Sequence, residues 1–242
     1  MALDKELKHE LKRDDVGEAL QEARGFLTRA EVVKPALAVI GLLLVLGGLY
    51  YGQKFRAGSA ESAFARATEV YHAQVGIPLS AAPGTGQTFA TTAEKFQKAK
   101  AMFDEVAKSY SSMPAGRRAR YYSALCLAEL GQLKEAEAAL KEIAALRDPG
   151  AIEPAMARLR LGEIILQQPG RGKDAAAWYK ALIADDASGL PKDRLLFGLA
   201  ESLESAGERL EARRAYADLM NRHPQSPYAQ DARQKVDALA SL

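Results

Sequence analysis

The sequence predicts an all-α fold: a single N-terminal transmembrane helix followed by a solenoid of helical hairpins. Three observations carry this. No charged residue interrupts the apolar run from Pro35 to Gln53, between Lys34 and Lys54. The rest of the chain is rich in Ala, Leu, Glu, Lys, Arg and Gln, the good helix formers, and poor in Val and Ile. In the second half, small and large apolar residues recur at the spacing of paired antiparallel helices.

Bulk properties narrow the function classes. The 242 residues allow one sizeable domain or two small ones. A net charge of +2 argues against a dedicated nucleic-acid binder, which would carry a basic patch or stripe. The single cysteine, Cys126, permits no intrachain disulfide. We divide the chain into a tail at 1–34, a span at 35–53 and a body at 54–242.

The tail holds seven basic and eight acidic residues and is nearly neutral. Leu3, Leu7 and Leu11 share one helical face. Asp15 and Glu18 mark the start of a second helix, with Leu20, Ala23 and Leu27 on one side. The tail is either two short amphipathic helices or a solvated segment of marginal helicity.

As a helix, Pro35–Gln53 rises about 28 Å, near the hydrocarbon thickness of a bilayer. Tyr50 and Tyr51 suit the headgroup level, and Lys34, Lys54 and Arg56 reach outward to lipid phosphates. A cleaved signal peptide is the alternative, with Ala57-Gly58-Ser59-Ala60 as its cleavage site. Its apolar core would begin unusually far from the N-terminus. Basic residues close to the span tie, but Lys5, Lys8, Lys12 and Arg13 favour a cytoplasmic tail and an external body. Gly48 and Gly52 stand in G-x-x-x-G spacing, either as ordinary membrane composition or as a packing face for a membrane partner.

The apolar positions Ala60, Ala63, Phe64, Ala67, Val70 and Tyr71 predict a helix over 57–75 that runs on from the span. Gly76 to Thr88 is Gly/Pro-rich and predicts a loop. It lacks the Gly-Lys-Ser/Thr ending and leading strand of a phosphate cradle. Thr91 with Glu94 is a capping box, opening a helix with Phe96, Ala99, Met102, Phe103, Val106 and Tyr110 on its apolar face and ending before Pro114.

Three hairpin segments follow: Arg120 to Leu146, Ala157 to Leu182, and Leu196 to Pro224. Each places a small residue before an aliphatic one, then a turn, then a small residue ahead of an aromatic or Leu. Small residues let two helices approach closely while larger ones fill the gaps. Gly131 and Gly207 stand where each turn needs a left-handed residue. The second segment has a longer turn, Gln167 to Lys173, which leaves its register open. Residues 226–239 predict a closing helix with Gln230, Arg233, Gln234 and Asp237 in water.

This spacing resembles the tetratricopeptide repeat, most closely in A-E-S-L-E-S-A-G-E-R-L-E-A-R-R-A-Y-A-D-L with its terminating His223-Pro224. Tail, span and hairpins together resemble the ancillary subunits of the bacterial SecYEG translocon, single-span proteins with a periplasmic tetratricopeptide-like domain. Residues 59–71 and the segments A-R-L-R-L-G-E-I-I-L and G-L-A-E-S-L-E-S-A-G-E-R-L-E-A-R-R-A-Y carry that likeness. The longer tail and the Gly/Pro loop depart from it. The resemblance implies an inner-membrane protein whose partners are translocon components, periplasmic chaperones or exported polypeptides. A structural role in cell division or envelope assembly, with the tail docking a cytoplasmic partner, is the competing reading.

No catalytic set stands out, and neither a cofactor, a metal nor a small-molecule substrate is expected. His9, His72 and His223 lack metal-ligand spacing. Cys126 reads as a packed small residue. Glu135 with Glu137, and Asp185 with Asp186, read as exposed carboxylates. Binding is the surviving mechanism. A concave face lined by the first helix of each hairpin would present Arg118, Tyr121 and Leu125, then Leu159, Glu163 and Leu166, then Arg194, Phe197, Glu201 and Glu204. A register error of one residue would instead put Tyr121 and Phe197 in the core.

Overall fold

The computed structural model describes residues 30–76, 88–147, 150–185 and 189–240, with positions 18, 20, 21, 24 and 25 ahead of them. The expected tail helices and most of the Gly/Pro loop lie outside the described residues. Nine helices are present among the described residues, and the all-α expectation holds. The chain divides into two compact units, Met1–Arg56 and Ala57–Leu242.

Helix α1 spans Ala30–Tyr71, so the apolar run and the helix expected after it are one continuous element. In the first unit its large apolar side chains from Leu37 to Tyr51 are all more than half exposed. An exposed apolar surface of that length is far larger than a soluble monomer tolerates. The helix is long and apolar enough to cross a membrane. A Cβ added at Gly48 or Gly52 would meet nothing, so both positions face open space. The small residues from Ala57 to Ala60 are helical, and Ala60 is buried.

The second unit begins with the end of α1. There Ala67 and Val70 pack with Phe96, Ala99, Phe103 and Val106 of α2 (Thr92–Ser109). Phe103 stacks on Tyr122 with ring centroids 5.2 Å apart, and Phe64 meets both rings. Helix α1 stops at Tyr71 rather than Val75. Residues Gln74–Val75 (β1) instead pair in parallel with Thr88–Phe89 (β2), closing the base of the loop. The Thr91 hydroxyl accepts from the Glu94 backbone N–H, as the capping box predicts.

Hairpins follow in register: α3 (Pro114–Glu129) with α4 (Leu133–Ala144), α5 (Glu153–Gln167) with α6 (Gly172–Ala184), and α7 (Lys192–Ser205) with α8 (Arg209–Arg222). Helix α9 (Ala229–Ala240) closes the stack, with Gln230, Arg233, Gln234 and Asp237 exposed. Each helix packs on its sequence neighbour, and the first helices α3, α5 and α7 also touch in series. The first complete hairpin starts six residues earlier than the sequence spacing suggests. Pro114 opens α3 because its missing N–H is harmless in the first turn. Gly116 then sits against the Tyr110 carbonyl, where a Cβ would come within 2.0 Å of the oxygen.

Gly131, Gly170 and Gly207 all adopt positive φ, at 74°, 75° and 78°. The second hairpin therefore turns like the others, and its long linker resolves into a left-handed glycine followed by a structured knot. At that knot Glu137 of α4 is buried, not exposed as expected beside Glu135. Its carboxylate accepts from Gln168 at 2.6 Å, from Arg171 at 2.5 Å and from Lys141 at 2.8 Å. Burial alone would disfavour the charge, but these three donors hold the carboxyl down at about 2.

A carboxylate held low contributes stability above its ordinary value of 4.5, and that contribution is lost as pH falls toward about 2. Glu137→Gln is expected to cost about 2 kcal/mol near neutral pH, and the gap to the parent should close as pH approaches 2. Urea unfolding followed by the fluorescence of the sole tryptophan, Trp178, checks this. A gap that stays constant with pH would remove Glu137 as its source.

Candidate functional site

The first helices of the hairpins share one face, and their charged residues form a ladder across it. At the start, Arg118 of α3 pairs with Glu61 of α1 and lies 4.6 Å over the Phe64 ring. Further on, Arg160 of α5 reaches Glu129 of α3 at 3.7 Å and Glu163, one turn along, at 2.7 Å. Glu163 in turn receives Arg194 of α7 at 2.5 Å. Arg194 extends to Glu201 at 4.0 Å and lies 5.4 Å from the Tyr228 ring. Lys235 of α9 then binds both oxygens of Glu204 at 3.0 Å, and the Tyr216 hydroxyl donates to the same carboxylate. Each cross-helix pair joins one hairpin to the next.

Beneath the ladder lies a close approach that sets its spacing. Tyr179 of α6 is 1% exposed, and its ring passes between Gly162 of α5 and Gly198 of α7. A Cβ at Gly162 would lie 2.6 Å from the Tyr179 Cζ, and one at Gly198 would lie 2.4 Å from it. Two first helices can straddle the ring only because neither carries a side chain there. The phenol thereby reaches the layer of Glu163, Arg194, Glu201 and Arg160. Burial, then Glu163, push it well above the usual phenol range.

The expected binding residues divide sharply. Glu163, Arg194 and Glu201 come together as one linked set. Arg118 faces α1 and is engaged there. Leu125 and Leu159 are half-buried against the core, and Tyr121 and Phe197 are packed inside it. Phe197 stacks on Tyr228 at 5.0 Å, so the core side of that alternative is the observed one. Spacing alone overlooked Glu129, Arg160, Tyr179 and Lys235. A usable signal for Tyr179 was present: an aromatic in a second helix, with a glycine in the first helix on either side of it in sequence.

Cys126 is buried, and its thiol is pushed up to about 12 by that burial, which leaves it protonated and inert. His223 caps α8, where its N–H bonds the Leu219 carbonyl at 2.8 Å. Asp185 ends α6, while His9 and Asp186 lie outside the described residues.

Comparison with known families agrees with this geometry. A tetratricopeptide repeat family matches residues 92–152, covering α2 to α4, and a second matches 194–226, covering α7 and α8. The body is a tetratricopeptide helical solenoid. The hairpin α5–α6, between the two matched stretches, has the same form. No curated protein matches the chain. Tetratricopeptide solenoids are built for protein–protein contact, and the shared face of first helices is the surface they offer.

Gly198→Ala is expected to destabilise the solenoid by about 1–3 kcal/mol, because a rigid ring must shift to admit the methyl. The same change in a Tyr179→Leu background should cost much less. A double-mutant cycle by urea unfolding measures this coupling. Equal costs in both backgrounds would mean that the ring does not set the spacing.

Proposed function

We propose that this protein is a membrane-anchored tetratricopeptide scaffold that holds protein partners in the bacterial cell envelope. One observation carries the reading: α1 exposes an uncharged apolar run and continues into a helical-hairpin body. Such a body gains its specificity from its tether and its binding face together. The basic tail residues Lys5, Lys8, Lys12 and Arg13 support a cytoplasmic N-terminus and a periplasmic body at the inner membrane. The resemblance to ancillary SecYEG subunits supports the export channel as the place of action. Translocon components, periplasmic chaperones and exported polypeptides are then the partners.

Alkaline phosphatase fused after Leu242 should be active in cells, because the enzyme matures only outside the cytoplasm. A stable but inactive fusion overturns the orientation. Cross-linking in cells should trap membrane-embedded or exported proteins, and exclusively cytosolic partners would overturn the envelope role. Gly48→Leu with Gly52→Leu should weaken association with a membrane partner while insertion persists, read by cross-linking yield against carbonate-resistant protein. Unchanged yield would make these glycines ordinary membrane composition.

A further inference from the structure

Large apolar side chains are exposed at five described positions of the second unit: Val75, Leu146, Ile152, Met156 and Leu210. A single exposed hydrophobe is ordinary on a protein surface and needs no partner. Three of these five share one connection between hairpins. Leu146 follows α4, Ile152 precedes α5, and Met156 lies one turn into α5, its backbone N–H bonding the Ile152 carbonyl at 3.0 Å. Ile152 is 65% exposed, more than any other large apolar residue described in the second unit. Arg147 is exposed next to Leu146, whereas Glu153, next to Ile152, is buried. Among its described residues, the connection presents apolar groups and a cation at the surface.

This connection lies at a defined end of the second unit. Phe64 of α1 meets Phe103 of α2, and Tyr71 meets Phe96, so α1 and α2 run antiparallel. Glu61 pairs with Arg118 near the start of α3, and Tyr71 meets Tyr122 further along, so α3 runs in the direction of α1. Helix α4 turns back at Gly131, and α5 therefore starts at the same end as α3. Leu146 and Ile152 thus share the end of the body where Ala57 and Glu61 lie. Three residues, Lys54 to Arg56, separate Ala57 from the uncharged run. A helix rises about 6 Å over that step, so this end stays near any bilayer that holds the run, however the body is tilted. Leu210 stands just beyond the Gly207 turn, at the opposite end.

We propose that the α4–α5 connection is a lipid-contact site of the body. Ile152, Leu146 and Met156 enter the boundary between headgroups and acyl chains, and Arg147 reaches a lipid phosphate. The inference rests on α1 being a membrane anchor and adds a second point of attachment. A bilayer is the occupant because the chain itself brings one to this end. The contact is weak alone, and the tether supplies the local concentration that fills it. A body held at two points presents its first-helix face in one direction, where a single tether lets it swing.

The test uses the full chain in phosphatidylcholine vesicles, a fraction of whose lipids carry a nitroxide at headgroup level. An environment-sensitive dye is attached through Ile152→Cys, Met156→Cys or Leu210→Cys, one per chain. Cys126 is buried, and the parent chain reports any labelling there. The nitroxide should quench the dye at 152 and 156 several-fold more strongly than at 210. Adding Leu146→Ser and Arg147→Gln to the Ile152→Cys chain should bring its quenching toward the level at 210. Unchanged quenching would remove those two residues from the contact. Equal quenching at 152 and 210 overturns the lipid contact, and the anchor still stands if the protein floats with the vesicles through a density gradient. A chain that does not float overturns both. A blue shift at 152 that grows with protein concentration in detergent would mean that a second copy covers the connection, and it too overturns the lipid contact.

Discussion

The passage of the Tyr179 ring between Gly162 and Gly198 is the constraint on which the rest of the body depends. In a solenoid each repeat touches only its neighbours, so the distance between successive first helices decides everything built on them. Here that distance is fixed by one aromatic thickness and two absent side chains. The ion pairs above the ring follow from it. Arg194 on α7 meets Glu163 on α5 because the two helices are held that close. A methyl group at either glycine would move the helices, and the ladder would lengthen with them. Packing comes first in this structure, and electrostatics is arranged on the spacing that packing sets.

The ladder and the Glu137 knot serve one purpose from two places. Exposed ion pairs contribute little singly, about 0–1 kcal/mol, because water competes for both partners. Buried ones are different, since losing one partner strands the other. Glu137 is of the second kind: its three donors come from α4 itself and from the α5–α6 turn. It joins α4 of one hairpin to the turn of the next. The Gly170 turn and the buried carboxylate also explain why this hairpin carries a longer linker than its neighbours.

What could be read from sequence was what local chemistry dictates. The uncharged run, the Thr91 cap and the left-handed glycines at 131 and 207 each depend on a few adjacent residues. They stand where the spacing put them. Features that depend on tertiary partners were hidden. Pro114 looked like a terminator, because a proline stops one helix and starts the next equally well. Glu137 looked solvated, because its three donors lie up to 34 residues away. Tyr121 and Phe197 could serve a face or a core, and a helix turns by about 100° per residue, so one step decides between them. Glu163, Arg194 and Glu201 meet because charged groups on the first helices share one layer.

A face whose cations are nearly all engaged binds in a particular way. Any partner that enters must fit around the pairs already made or break one of them. Breaking a pair returns little net free energy, so most of the ladder repels strong attachment and confers selectivity at few points. Affinity from such a surface is modest. A membrane tether, as proposed for α1, would change what modest affinity achieves. A partner held at the same membrane meets the face at an effective concentration near the millimolar range, at which weak contacts are occupied. The proposed role thus gives a nearly self-neutral ladder and an apolar α1 complementary parts. In the proposed role the body would select weakly and release readily, and the membrane would supply the encounter.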